Sequence, residues 1–282
     1  MRSVLLTTDF SDASEAALPH ALMIAHLYGA KLYLAHVVSP FSFPRSPEAD
    51  LEAAWANAHS LEARLLQNGS LAGLEHELIV QQGAPWEELK DIIRHKEIDL
   101  IVSGAHGRRG IRKVLLGSIA EQIFRNADCP VLTVGPESHL QSRASGDLEK
   151  MTFLFPTDFG EASLEAMPDA ISYANHFGAK LSLLHVLHTA ARPETFLHKA
   201  TLRMLQELTV GRPLKVEPRF LVESVSGPVS KKILETVGGI KADLVIMGLR
   251  RFQHVEAASH APWAMAYEVV CGAQCPVLTL RC

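Results

Sequence analysis

Short apolar runs alternate along the chain with longer stretches in which apolar residues recur every three to four positions. SVLLTTD (3–9), KLYLAHVV (31–38), HELIVQQG (76–83), DLIVSG (99–104) and CPVLTV (129–134) are continuous apolar runs of strand length. Runs of that kind suit parallel strands buried on both faces. Helical spacing predicts helices following Ser11, around 47–67, over PWEELKDIIRH (85–95) and over GSIAEQIFRN (117–126). Ser11 is placed to cap the first of these, with Asp12 and Glu15 in its first turn. Ala13, Ala17, Ala21 and Ala25 form an i, i+4 row that lets a helix sit close to a sheet. Pro19 falls inside this helix, where a proline removes a backbone bond and a bend is expected. Gly29 suits a left-handed C-cap, and Pro85 suits a first helical turn. Strand and helix alternate five times, which predicts an α/β fold with a parallel sheet covered on both faces.

The pattern occurs twice. Residues 4–38 and 153–187 superpose at a fixed offset of 149 without a gap and agree at about half of their positions. Asp9 meets Asp158, Pro19 meets Pro168, Gly29 meets Gly178, and His36-Val37 meets His185-Val186. IDLIVSGAHG (98–107) resembles ADLVIMGLRR (242–251), and ADCPVLTV (127–134) resembles AQCPVLTL (273–280). A repeat of this length predicts two copies of one domain, residues 1–136 and 151–282, joined by a polar linker over 137–150 that lacks apolar periodicity.

Composition narrows the function classes. Hydrophobic residues make up 48% and charged residues 21% of 282 positions, the balance of a soluble globular protein. A net charge of −4 argues against nucleic acid as a partner. Sequence periodicity shows no basic amphipathic segment for a membrane surface, and no run approaches the ~20 apolar residues of a membrane span. The opening MRSVLLTTDFSD is too short in its apolar run for a secretory signal, so a cytoplasmic location is expected. Cys129, Cys271, Cys275 and Cys282 are too unevenly placed for a disulfide framework. Pro276 and the apolar VLTL after it start a strand near Cys275, which speaks against a metal site shared with Cys271.

The stretch GAHGRRGIRKVLLGS (104–118) carries the candidate chemistry. Glycines let backbone N–H groups approach an anion without an intervening Cβ. A helix starting at Ser118 offers unpaired N–H groups and a positive dipole end. Arg108, Arg109, Arg112 and Lys113 raise the local potential. Neither a Walker loop nor a G-x-G-x-x-G fingerprint is present. The physics leaves two readings open, a phosphate loop or a solvated turn kept soluble by its arginines.

The spacing G-x2-G-x9-G-[ST], at Gly104, Gly107, Gly117 and Ser118, resembles the ATP-binding signature of the universal stress protein family. The TTDFS and PTDFG segments, the HVV and HVL strand ends and the CPVLTV and CPVLTL closing strands resemble that family as well. The resemblance covers nearly the whole chain as a tandem pair. It implies two Rossmann-like domains of the adenine nucleotide α-hydrolase type, each a five-stranded parallel sheet of order 3-2-1-4-5. It also implies a pseudo-dimer through strand 5 of each half, with further homodimerisation left open. ATP would lie between strands 1 and 4, with Thr8 and Asp9 lining the pocket and Val37 or Val38 offering backbone groups to adenine. Gly104 would lie by the ribose, while Gly107, Gly117, Ser118 and Ile119 would hold phosphates through N–H groups. Asp9 is left with two roles, bonding the nucleotide or positioning Mg2+.

The second copy departs from this pattern. It keeps Asp158, Val186 and Gly248, but Leu249-Arg250-Arg251 replaces Ala105-His106-Gly107 and Trp263-Ala264 replaces Gly117-Ser118. An indole would occupy the phosphate's place, so this half is expected to bind no ATP in the family's manner. His36 and His185 recur at one place in both copies, which favours packing over catalysis. The resulting expectation is an ATP-binding stress-response regulator with one site and little turnover, since no residue is well argued as a general base. One alternative is a binder of a lipid, metabolite or metal, or a chaperone, using the altered second site. The other is a nucleotide α-hydrolase, which the absence of an S-G-G-x-[DS] loop near strand 1 disfavours.

Overall fold

A computed structural model describes residues 1–40, 46–105, 116–135, 138, 151–188, 196–250 and 260–282. It divides into two compact units, Met1–Pro136 and Glu137–Cys282. Apart from Ser138, the expected linker 137–150 lies outside the described residues.

In the first unit β1 (Ser3–Thr7), α1 (Asp12–Tyr28), β2 (Lys31–Val38), α2 (Pro47–Gln67), β3 (His76–Gln82), α3 (Pro85–His95), β4 (Leu100–Gly104), α4 (Ser118–Asn126) and β5 (Val131–Val134) follow in order. All pairings are parallel, and the strands run β3-β2-β1-β4-β5. The chain builds outward from β1 to β3 and then returns to the other side of β1 with β4. That reversal leaves a crevice beyond the carboxyl ends of β1 and β4, where ligands of such sheets bind. β1 is buried over Val4, Leu5 and Leu6, and β4 over Leu100, Ile101 and Val102. Ile79, Leu89 and Ile92 join the core on the α3 face of the sheet, and Val80 packs with Ala54 and Ala58 of α2 on the other.

The second unit repeats the plan with β6 (Thr152–Pro156), α5 (Glu161–Phe177), β7 (Lys180–Leu187), α6 (Phe196–Glu207), β8 (Arg219–Ser224), α7 (Val229–Ile240), β9 (Leu244–Leu249), α8 (His260–Gly272) and β10 (Val277–Arg281). Its strands run β8-β7-β6-β9-β10, all parallel.

Local chemistry sets the helix ends. Ser11 caps α1 in an extended conformation, its hydroxyl accepting the Ser14 N–H. α1 and α5 continue through Pro19 and Pro168 and stop at Gly29 and Gly178, whose φ values of 60° and 61° fit the left-handed cap. Ala17, Ala21 and Ala25 of α1 are buried, as are Ala166, Ala170 and Ala174 of α5. The alanine rows bring each helix backbone close to its sheet. Cys275 lies between α8 and β10, off the helix that carries Cys271. Among the described residues, no cluster of three or more His, Cys, Asp or Glu is arranged for a metal.

Candidate functional site

The turn after β1 is held by its own side chains. The Thr8 N–H donates to Ala35 O at 2.9 Å, and the Thr8 hydroxyl accepts the Phe10 N–H at 3.0 Å. That hydroxyl also donates to Ser14 Oγ at 3.1 Å. Phe10 is thereby fixed at φ 58°, a left-handed conformation unusual for an aromatic residue. Asp9 Oδ1 accepts from both the N–H and the hydroxyl of Ser11. His36 reaches back from β2, its Nδ1–H donating to the Thr8 carbonyl at 2.7 Å while its ring lies 4.9 Å from that of Phe10. Because a carbonyl only accepts, this bond fixes the tautomer.

The same turn stands in the second half. Thr157 accepts the Phe159 N–H at 3.0 Å, Phe159 has φ 59°, Asp158 Oδ1 accepts the Gly160 N–H at 2.8 Å, and His185 Nδ1–H donates to Thr157 O at 2.8 Å. The shared Thr-Asp-Phe and histidine pattern is therefore a framework that orders the strand end. His36 and His185 are its ties.

A cavity of about 290 Å³ opens at this strand end in the first half. Of the residues expected at a site, Thr8, Asp9, Val37, Gly104, Gly117, Ser118 and Ile119 line it. Val38 does not. Its side chain is buried against α2, and its carbonyl accepts the Gly83 N–H at 3.1 Å. Gly107 lies outside the described residues, with His106 and the four basic side chains of the loop. Ser14, His36, Ser103, Pro85 and Leu89 also face the cavity, although sequence reasoning did not assign them to it. Leu89 belongs to an apolar helix face that reads simply as core, and only the fold turns its edge toward the crevice.

The two glycines that flank the cavity do different work. A Cβ on Gly104 would stand 2.2 Å from Ala13 O, so this glycine lets α1 press against β4. Gly248 meets the same obstacle, 2.2 Å from Ala162 O. Packing explains why Gly248 persists in the half that lost the rest of the motif. Gly117 is the N-cap of α4 at φ −61° and ψ 158°, a conformation open to any residue, and no side chain caps the helix there. The first intrahelical bond is donated by Glu121 to Gly117 O at 2.8 Å. The N–H groups of Ser118, Ile119 and Ala120 are thus left without helical partners at the cavity wall.

In the second half this terminus has moved. Aligned on Cys129 and Cys275, Ser118 corresponds to Ala264, which lies inside α8, since that helix already includes His260. The N–H of Ala264 therefore lies within the helical ladder and not at an open helix end. The Trp263 ring lies 5.0 Å from the Arg281 guanidinium in a cation–π contact. Just past β9 the exposed Arg250 side chain bonds Glu161 at 2.9 Å, joining the end of that strand to the start of α5.

The family model described as the universal stress protein family matches residues 1–135 and 151–281. The chain belongs to the universal stress protein family. A universal stress protein of Methanocaldococcus jannaschii is 33% identical over 138 residues, spanning 47% of this chain and 81% of the relative. A second from that organism is 26% identical over 152 residues, again 47% of this chain and 94% of the relative. The crystal structure of a universal stress protein from Archaeoglobus fulgidus superposes with a TM-score of 0.76 at 20% identity, over 99% of this chain and 98% of that one. That likeness carries the fold, two tandem Rossmann-like domains of the adenine nucleotide α-hydrolase type. No helix among the described residues is long and apolar enough to cross a membrane.

Proposed function

We propose that this universal stress protein binds one ATP, with Mg2+, in the crevice of its first half, and that the bound state is its regulatory signal. The observation that carries the reading is the bare N-terminus of α4, with Ser118, Ile119 and Ala120 at the cavity wall and glycine at the cap. Three N–H donors at a positive helix end match the charge and oxygen-rich surface of a phosphate chain. A volume of about 290 Å³ lies near the lower end for small-molecule sites. Val37, which also lines the cavity, would offer its backbone to the base, and Asp9 would supply a carboxylate to a ribose, a base edge or the cation. Magnesium needs only one or two protein carboxylates when phosphates supply the rest.

Binding without rapid turnover fits the same wall. The Asp9 Oδ1 that would serve as a base is already engaged by both donors of Ser11. The position aligned with Ser118 lying inside α8 supports a single site per chain. Intracellular, cytoplasmic action follows from the nucleotide itself.

Calorimetric titration with ATP and Mg2+ tests the reading, beside a Gly117→Trp variant that places the second half's residue in the first. One equivalent per chain, abolished by the substitution, is the expected result. Two equivalents, or saturation that survives Gly117→Trp, would overturn it.

A further inference from the structure

The edge-strand flanks of the two halves are built alike and charged oppositely. From α2 through the edge strand β3 the first half carries six acidic residues and one basic; from α6 through the edge strand β8 the second carries five basic and three acidic. The basic flank is also apolar. Four of the six large hydrophobic side chains exposed among the described residues, Phe196, Leu197, Met204 and Val210, lie on α6 or just beyond it. Phe196 is 88% exposed and Val210 75%, so the described part of the chain leaves them uncovered. Lys199 and Arg203 are exposed on the same helix face as Phe196. Sequence periodicity alone gave no basic amphipathic segment. The fold creates one by burying Thr201 and Leu205 and leaving Phe196, Leu197, Lys199, Arg203 and Met204 exposed.

The acidic flank has a receptor of matching form. A cleft of about 460 Å³ runs along the open edge of β3 between α2 and α3. Trp55, Leu78, Ile79 and Ile92 give it an apolar floor, and Glu88 and Asp91 stand at its rim. Glu77 is already held by Lys31 and Lys96, which leaves Glu88 and Asp91 as the acids open to a new cation.

We propose that the α6 ridge of one copy docks in the β3-edge cleft of a second copy, Phe196 entering the apolar floor and Lys199 and Arg203 facing Glu88 and Asp91. Both sides of this complementarity are present in the same chain, whereas an anionic lipid surface would match only the ridge. The contact uses different patches on its two sides, so it is heterologous and propagates until a ring closes. Steering by the opposed charges makes it sensitive to salt.

Sedimentation velocity of the full chain at low and high salt reads the association. The mass should rise with concentration at low salt and fall as salt is added. Lys199→Glu with Arg203→Glu, and separately Glu88→Lys with Asp91→Lys, should each weaken association by roughly tenfold or more. Mixed in equal amounts, the two double variants should regain association, because every ridge then meets a cleft of opposite charge on the other variant, and the mass should again rise with concentration. Phe196→Ser, at a site too exposed to disturb folding, should weaken association without moving the thermal midpoint. A single-chain mass at every concentration up to about 1 mM, or an association that all these variants leave intact, would overturn the proposal. So would a Phe196-dependent attachment to phosphatidylserine vesicles by a protein that stays monomeric.

Discussion

The carbonyl oxygen of Ala13 stands 2.2 Å from the point a Cβ on Gly104 would occupy, and Ala162 stands in the same relation to Gly248. Backbone cannot yield as a flexible side chain would, so either glycine is a packing requirement before it is anything else. Gly104→Ala and Gly248→Ala should each destabilise the half that carries them by about 1–3 kcal/mol, the usual cost of overpacking. Thermal unfolding of both variants checks this. ATP affinity should fall only for Gly104→Ala, and an equal loss for Gly248→Ala would refute the single-site reading.

Gly117→Asp separates helix stability from ligand binding. A carboxylate at the N-cap satisfies an open N–H and complements the helix dipole, which adds about 1 kcal/mol or less relative to glycine. The same charge repels phosphate from the cavity wall. The expected outcome is a slightly higher melting temperature together with loss of ATP binding in calorimetry.

Thr8 illustrates a residue that faces the cavity yet serves the backbone. Thr8→Val keeps the shape but strands the Phe10 N–H, which now ends on the Thr8 hydroxyl. A loss of about 1–2 kcal/mol in chemical denaturation is expected. Thr157→Val should cost a similar amount, because the second half repeats the bond. A Thr8 effect on ATP affinity with no effect on stability would show that the hydroxyl acts on the ligand directly.

Acid stability should report Glu77. The Lys96 ammonium, with Lys31 beside it, holds this carboxyl below the ordinary value of 4.5. A depressed folded-state pKa stabilises the fold above the unfolded-state value and loses that contribution as pH falls through the folded-state one. Glu77→Gln should therefore melt earlier than the parent at pH 7, and the gap should close below about pH 4.5. A gap that persists in strong acid would assign the effect to packing.

Cys275 should resist alkylation. Burial pushes its thiol up to about 12, with Asp243 adding to the shift. Labelling by iodoacetamide at pH 8 should leave Cys275 unmodified in the folded protein and label it after denaturation, as read by peptide mass spectrometry.

The order of strands and helices, the tandem repeat and the family were legible in the sequence, because buried parallel strands need continuous apolar runs and helices need periodic ones. The glycine spacing likewise pointed to the α4 terminus, and capping rules placed Ser11, Gly29 and Gly178. Tertiary contact decided what no local pattern encodes. Gly104 answers to the backbone of α1, ninety residues away in sequence, and Val38 is withdrawn from the cavity by its bond to Gly83. His36 is a tie because β2 carries it beneath the Thr8 carbonyl. The second half lacks an open helix terminus at the aligned position because α8 runs through it. Phe196 and Lys199 share a face by helical spacing, but that face meets water only because the core has claimed the other side of α6. Local propensity fixes elements, while the side of an element that meets water is set by what packs against it.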